Sequence, residues 1–156
     1  MEANSTFSNN LIAAEVQLVY KSKVKPSERP VVNSSLLAYE VLRASWDDDR
    51  IEFVEQFKIL LLNNGKKVLG VYEVSTGGLD FVSVDFRLIF AAALKANATG
   101  IVLAHNHPSG TLKPSQADKQ LTKRLVAGGE ILSIHILDHI IVTSEGYYSF
   151  MDEGLL

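Results

Sequence analysis

Residues 101–110 read IVLAHNHPSG, and this stretch joins an apolar run to two closely spaced histidines. The apolar, β-branched start is typical of a buried strand in an α/β protein. A Pro-Ser-Gly turn follows it. Because side chains two residues apart in a strand lie on the same face, we expect the imidazoles of His105 and His107 to converge beyond the end of the strand.

The segments on both sides of this stretch carry alternating helix and strand patterns. The predicted elements are helices over 33–46, 85–98 and 114–129, a hairpin that turns at Asn64-Gly65, two strands within 131–150, and a strand over 15–22, where Val16, Leu18 and Tyr20 alternate. Residues 1–14 are expected to be a flexible lead and 15–156 one domain. The pattern predicts a single α/β domain with a mixed β-sheet flanked by helices.

Composition limits the possible functions. The chain has 156 residues, a net charge of −3 and no cysteine. Disulfides and cysteine chemistry are therefore excluded, and any metal must be bound by His, Asp, Glu or water. The acidic balance argues against a chain built to bind nucleic acid, so such a partner is possible but has no support from the charge. The one basic arm is a solvated loop or a nucleic-acid contact; it comprises Lys21, Lys23, Lys25 and Arg29.

Targeting signals are not recognisable in the sequence. No run approaches the roughly 20 apolar residues of a membrane span. The first residues lack the basic and apolar regions of a secretory signal. We therefore expect a cytoplasmic protein that does not contact a membrane.

The histidine pair is a candidate metal site. Two imidazoles at i and i+2 can share one small cation, although two neutral histidines bonded to carbonyls would explain the pair equally well. Asp118 lies eleven residues beyond His107, in the first turn of the next predicted helix. It could supply a carboxylate ligand and leave a fourth position for water. Alternatively, Ser115 and Asp118 match a capping box, which local sequence favours.

Glu73 is the candidate general base for a metal-activated water. It stands in LGVYEVS, on a predicted strand, and alternation places it on the same face as Leu69 and Val71. An acid on an apolar strand face is either functional or at a sheet edge that faces solvent. The periodicity leaves both interpretations open.

Together these residues resemble a known family. Glu73, His105-Asn106-His107-Pro108 and Ser115-x-x-Asp118 are similar to the JAMM (MPN+) metalloprotease motif, with the same eleven-residue step. The segments ALKANATGIVLAHNHPSGTLKPSQAD, LDHIIVT and GYYSF resemble the RadC branch of JAB/MPN domains. The resemblance covers roughly residues 15–156. It implies the JAB1/MPN fold, a mixed sheet flanked by helices.

The resemblance also implies a zinc hydrolase acting on a peptide or isopeptide bond. One zinc ion per chain would be bound by His105, His107 and Asp118, with water as the fourth ligand. Glu73 would accept the proton of that water, and Ser115 would donate a hydrogen bond to the developing oxyanion. The partner would then be a peptide or protein substrate. Asn106 replaces the Ser or Thr of deubiquitinating members, which argues against carrying over their isopeptidase specificity.

Two other functions remain as alternatives. One is a role in DNA repair or DNA processing, as the RadC name suggests, and the other is a non-catalytic MPN scaffold. The complete ligand set argues against the scaffold. Asp138 and His139 are either a pair that orients a metal ligand or a structural histidine with a local carboxylate.

Overall fold

The architecture is a five-stranded mixed sheet with helices on both faces. The computed structural model describes residues 13–17, 19–77 and 83–156. The predicted α/β class is therefore confirmed. The elements are α1 (Ser35–Arg43), β1 (Gln56–Leu62), β2 (Val68–Thr76), α2 (Phe86–Lys95), β3 (Gly100–Asn106), α3 (Gln116–Leu132), β4 (His135–Val142) and β5 (Tyr147–Ser149), with a short 3-10 turn at Pro26–Glu28.

The central strand of the sheet is β3, in the order β2-β1-β3-β4-β5. It pairs antiparallel with β1 and parallel with β4. All seven residues of β3 are buried, as its continuous apolar sequence predicts. The predicted hairpin is also confirmed, since β1 and β2 pair antiparallel. In its turn the Asn63 side chain accepts hydrogen bonds from the backbone N–H groups of Gly65 and Lys67. The sheet thus places the end of β3 centrally, between two neighbouring strands.

Each face of the sheet has its own hydrophobic core. On one face, Ile89 and Ala93 of α2 and Leu125 of α3 pack against the sheet. On the other face, Ala38 and Leu42 of α1 do so. Burying a Leu or Ile side chain stabilises the fold by roughly 1.5–3 kcal/mol. The two layers therefore hold the strand ends, and the side chains that follow them, in fixed positions.

Helix starts follow the capping residues of the sequence. The side chains of Ser34 and Asp85 accept hydrogen bonds from the first turns of α1 and α2. At α3, Ser115 and Asp118 form the predicted capping box, with both reciprocal hydrogen bonds present. Each cap satisfies backbone N–H groups that have no partner within the helix.

The predicted strand over 15–22 is wrong for the described part of that segment. Residues 15–17 and 19–22 are irregular, and Leu18 lies outside the described residues. Val16 is 82% exposed, so the alternating apolar side chains have no core to cover. The Tyr20 hydroxyl donates to the carbonyl of Leu69, but no ladder of backbone hydrogen bonds accompanies it. Most of the predicted lead, residues 1–12, falls outside the described residues as well.

Among the described residues, none of the helices has the length and apolar character needed to cross a bilayer.

Gly129, near the end of α3, is required by a close backbone approach. A Cβ there would overlap the carbonyl oxygen of Ile134, whose own N–H donates to the Gly129 carbonyl. We expect Gly129→Ala to lower the free energy of unfolding by about 2 kcal/mol, because an overlap with backbone costs close to the upper end of the roughly 1–3 kcal/mol of overpacking and Ala regains only about 0.5–1 kcal/mol in a helix. Urea denaturation would measure the change.

Gly128→Ala is the matched control for this prediction. A Cβ at Gly128 would meet only the Phe90 ring, at 3.0 Å, and a side chain can rotate away from it. We expect a smaller loss. Equal stability of Gly129→Ala and the parent protein would contradict the close approach.

Candidate metal centre

The end of β3 places the two histidines beside one another. His105 is 1% exposed and lies opposite Phe57 of β1. His107 follows the strand, and its N–H donates to the carbonyl of Val142 at 3.0 Å, which extends the pairing with β4. The Nε2 atoms of the two imidazoles are 3.0 Å apart. The convergence expected from the i and i+2 spacing is therefore present.

Asp118 joins the histidines from the first turn of α3. Its Oδ1 lies 3.2 Å from the Nε2 of His105, and its Oδ2 lies 3.7 Å from the Nε2 of His107. The same Oδ2 accepts the N–H of Ser115 at 2.7 Å. The capping and ligand interpretations of Asp118 are thus compatible. The capping box holds the carboxylate so that it faces both imidazoles.

The three side chains perturb one another electrostatically. Burial acts to raise the pKa of Asp118, but hydrogen bonding to His105 and His107 outweighs it and holds that pKa well below its usual range. Burial acts to lower the pKa of His107, yet Asp118, the Thr111 carbonyl and the charge of Glu55 together raise it. The centre therefore keeps its carboxylate ionised and favours a positive charge between the three groups.

A backbone carbonyl sets the tautomer of His107. Its Nδ1 lies 2.6 Å from the carbonyl oxygen of Thr111. A carbonyl only accepts hydrogen bonds, so Nδ1 must carry the proton. In the neutral ring Nε2 then has a free lone pair, and this atom faces His105 and Asp118.

Ser115 lies beside the ligand group at the start of α3. It is exposed, and its Oγ accepts the N–H of Asp118 at 3.0 Å. Accepting this bond leaves the hydroxyl proton free to donate. The side chain is thus available for the hydrogen bond to an oxyanion that the sequence predicts.

Glu73 lies on the edge strand β2 and contacts other residues. Its carboxylate accepts hydrogen bonds from Gln56 Nε2 at 2.9 Å and Thr76 Oγ1 at 2.6 Å, and lies 3.8 Å from Lys58 Nζ. Glu73 pairs with Lys58, which lies over the Trp46 ring on the α1 face of the sheet. The group of three converging ligands does not include Glu73.

The predicted face of Glu73 is correct only in part. Val71 pairs with Leu60, which belongs to the α1 core, as expected for a residue two positions from Glu73. Leu69 instead packs against the opposite core, because the register of β1 and β2 shifts between Leu61 and Leu62. Such shifts break strict alternation.

Glu55 is a carboxylate near the centre that the sequence interpretation missed. It is half-buried, directly precedes β1, and its charge raises the pKa of His107. Asn106 positions this segment, since its amide donates to the carbonyls of Ile51 and Val54 and accepts the N–H of Gln56. An acid directly before a buried strand that borders the histidine strand was the available signal.

Comparison with known proteins identifies the family to which this domain belongs. The family model described as RadC-like JAB domain matches residues 32–155. The chain belongs to the RadC-like JAB domain family. A UPF0758 protein of Flavobacterium johnsoniae is 54% identical over 101 residues, covering 65% of this chain and 44% of that protein. One from Desulfitobacterium hafniense is 39% identical over 132 residues, with 84% and 56% covered.

A third UPF0758 protein, from Thermosynechococcus vestitus, is 37% identical over 144 residues, covering 90% of this chain. The chain spans about half the length of these curated relatives. Their names state no activity. The family assignment therefore establishes the RadC-like JAB domain and leaves the reaction to be argued from the site.

The donor set of this RadC-like JAB domain fits zinc. Zinc bonds of about 2.0–2.1 Å in tetrahedral geometry place neighbouring ligand atoms about 3.3 Å apart. The separations measured between the three side chains are 3.0, 3.2 and 3.7 Å. Two imidazole nitrogens and one carboxylate oxygen also match the ligand types of catalytic zinc, which leaves one position for water.

The side chains of Asp138 and His139 in this RadC-like JAB domain contact different residues. The Asp138 carboxylate accepts hydrogen bonds from Ser149 Oγ and from the N–H groups of His139 and Met151. The Asp138 carboxylate does not hydrogen-bond the His139 ring, so the two do not form a structural histidine with a local carboxylate partner. The His139 ring instead contacts His105, with 2.8 Å between His139 Nε2 and His105 Nδ1.

Asp138 offers a test of the buried hydrogen-bond network. Asp138→Ala leaves three donors without their acceptor, and we expect it to lower the free energy of unfolding by about 2 kcal/mol or more. Asp138→Asn keeps an acceptor oxygen for the two backbone N–H groups, and its amide can donate to Ser149 Oγ. We expect the Asn variant to be close to the parent protein in urea denaturation.

The stabilities of the parent protein and Asp138→Asn are expected to depend differently on pH. Burial raises the pKa of Asp138 above its ordinary value of 3.8. The folded state thus binds this proton more tightly than the unfolded state does, so the parent loses stability as the pH rises through the ordinary and then the raised pKa. Asp138→Asn does not titrate at this position, so its free energy of unfolding should rise relative to that of the parent over that pH range. A relative loss for Asp138→Asn would contradict the sign.

Proposed function

We propose that this domain is a mononuclear zinc hydrolase that cleaves a peptide or isopeptide bond. The observation that carries the proposal is the convergence of His105 Nε2, His107 Nε2 and the Asp118 carboxylate at separations that suit one tetrahedral zinc ion. Zinc in such a site lowers the pKa of water to about 7 and polarises a carbonyl.

The charge of the site suits hydrolysis. Two neutral imidazoles and one carboxylate would hold a zinc ion with a net charge of about +1, and this charge would favour the negative charge that develops on the oxygen of the attacked carbonyl. The ligand set also leaves a position free, whereas structural zinc sites are closed by four protein ligands. Manganese or iron would be compatible with the same donors, so the identity of the metal in the cell is part of the proposal.

A general base must accept the proton of the attacking water. The resemblance to the JAMM motif implies Glu73, but in the structure its carboxylate accepts hydrogen bonds from Gln56 of β1 and Thr76 of β2. Glu55 is half-buried and directly precedes β1, in which Phe57 lies opposite His105, so the antiparallel register leads Glu55 toward His107, and its charge raises the pKa of that ring. We therefore assign the base to Glu55 and give Glu73 the role of fixing the end of β2.

Ser115 would stabilise the transition state. Its hydroxyl lies at the start of α3, where the helix dipole also favours negative charge. With its Oγ accepting the Asp118 N–H, the hydroxyl proton can be donated to the oxygen that becomes negative during attack. Glu55 would then return its proton to the leaving amine, completing the cleavage.

A substrate screen with the zinc-loaded domain tests this proposal. The probes are a peptide library with fluorescent quenched pairs and a set of isopeptide-linked peptides, assayed beside His107→Ala. We expect cleavage by the parent that His107→Ala abolishes. Cleavage that survives His107→Ala, or that a chelator does not stop, would contradict a metal mechanism.

The alternative functions are separate outcomes of the same screen. A short DNA duplex and a single strand are included as substrates. Metal-dependent cleavage of DNA without cleavage of any peptide would favour the DNA-processing role. A zinc-loaded domain that cleaves nothing would favour a binding or scaffold role.

A further inference from the structure

A chain of hydrogen bonds runs behind the metal centre and returns to it. His105 Nδ1 lies 2.8 Å from His139 Nε2, and His139 Nδ1 lies 2.6 Å from Thr122 Oγ1. Thr122 Oγ1 in turn donates to the carbonyl of Asp118 at 2.7 Å. The chain thus connects two of the three candidate ligands through two buried side chains.

The protons in this chain can be assigned by counting donors. The Thr122 hydroxyl has one proton, and the Asp118 carbonyl can only accept it. Thr122 Oγ1 must therefore accept from His139 Nδ1, which carries a proton. In a neutral His139 ring, Nε2 is then bare, so the proton between the two rings belongs to His105 Nδ1.

The His139 side chain has no contact with solvent. The ring is fully buried, and among the described residues its hydrogen-bond partners are a histidine and a threonine and no carboxylate, so the uncharged form suits its surroundings. Phe150 stacks on it at 4.7 Å between ring centroids, and Phe57 meets it edge-on at 5.8 Å. The two aromatic rings restrict the imidazole, and both of its nitrogens are in hydrogen bonds.

We propose that His139 and Thr122 are positioning residues, which fix His105 as the tautomer with a proton on Nδ1 and a free lone pair on Nε2. The inference deepens the proposed function, since the lone pair is directed at the candidate metal position. Zinc binds the unprotonated nitrogen, so the opposite tautomer would have to rearrange before it could bind. With the Thr111 carbonyl holding the Nδ1 proton of His107, both rings in their neutral forms have an unprotonated Nε2, which is the form that a metal requires.

Thr122→Val tests this inference with a side chain of nearly the same shape. Without the hydroxyl, a proton on His139 Nδ1 would be buried with no acceptor, which costs about 1–3 kcal/mol. His139 therefore carries its proton on Nε2 and donates a hydrogen bond to His105 Nδ1. The neutral His105 ring then carries its own proton on Nε2. Changes in such outer hydrogen bonds lower metal affinity by about 10–100-fold.

Thr122→Ser is the control, because it keeps the hydroxyl and loses only a methyl group. Two readouts are taken on folded protein. Long-range proton–nitrogen NMR correlations of metal-free protein, in mildly alkaline buffer, identify the tautomer of His105. Competition with a chromogenic chelator measures the affinity for zinc.

The expected result is a proton on His105 Nδ1 in the parent and in Thr122→Ser, a changed tautomer in Thr122→Val, and zinc affinity about 10–100-fold weaker in Thr122→Val alone. A proton on His105 Nε2 in the parent would overturn the inference. So would a Thr122→Val protein with the parent's tautomer and zinc affinity. The NMR readout stands without metal or catalysis, so a failure of the hydrolase proposal would be seen separately in the substrate screen.

Discussion

Glu55→Gln is expected to lower kcat for a cleaved peptide by about 10²–10⁴-fold while zinc content stays that of the parent. This range is what a positioned general base contributes. Glutamine keeps the size and hydrogen-bonding capacity of the side chain but cannot accept the proton of the attacking water. Steady-state kinetics together with metal analysis of the same preparation measure both effects.

Glu73→Gln is the matched control for the base. Its amide oxygen can still accept the hydrogen bonds from Gln56 and Thr76, so we expect kcat close to that of the parent. A large loss in Glu73→Gln with near-normal Glu55→Gln would assign the base to β2, as the resemblance to the JAMM motif implies, and would contradict the assignment to Glu55.

Asp118→Asn is expected to weaken zinc binding by more than about 100-fold, since even the substitution of a residue that only hydrogen-bonds a metal ligand costs about 10–100-fold. The amide oxygen can still accept the N–H of Ser115, so the cap of α3 is largely preserved. Asp118→Ala should lose the same affinity and also about 1 kcal/mol of metal-free stability, because the reciprocal cap is broken.

Unfolding with and without zinc separates these two roles of Asp118. For the parent, zinc at 100 times its Kd adds about 2.7 kcal/mol to the free energy of unfolding. We expect this increment to disappear in both variants, with only Asp118→Ala less stable in the absence of zinc. An unchanged zinc increment in Asp118→Asn would remove Asp118 from the ligand set.

The central strand and its ligands could be predicted because the signals are local. A continuous apolar run, the i and i+2 spacing of the histidines and the turn after them require no long-range information. The capping box of Ser115 and Asp118 is equally local. The sequence presents capping and metal binding as competing explanations, however, and only the position of α3 beside the end of β3 shows that one carboxylate serves both geometries.

The surroundings of the centre depend on contacts that periodicity does not encode. The register shifts between β1 and β2 change which face Leu69 occupies, and no pattern in a single sequence marks them. The alternation over 15–22 predicts a strand, but a strand needs a partner ladder and a core to cover. Exposed Val16 has neither.

The two polar residues that the sequence interpretation undervalued act through distant segments. The segment that carries Glu55 is held by the Asn106 amide, which accepts the N–H of Gln56, fifty residues away in the chain, and donates to the carbonyl of Ile51. For His139 the sequence leaves open a role in orienting a metal ligand and a purely structural role, and only the hydrogen bonds to His105 and Thr122 distinguish them. Buried polar networks of this kind are assembled by tertiary packing, so the sequence gives their members but not their connections.

We propose that His105, His107 and Asp118 together bind one zinc ion. Metal analysis by mass spectrometry tests it most directly, on protein purified without chelators or a histidine tag, beside a His105→Ala/His107→Ala double variant. We expect about one zinc per chain in the parent, as purified or after zinc is supplied, and none retained by the double variant. A folded parent protein that binds no metal even after zinc is supplied, or a double variant that retains it, would contradict the claim.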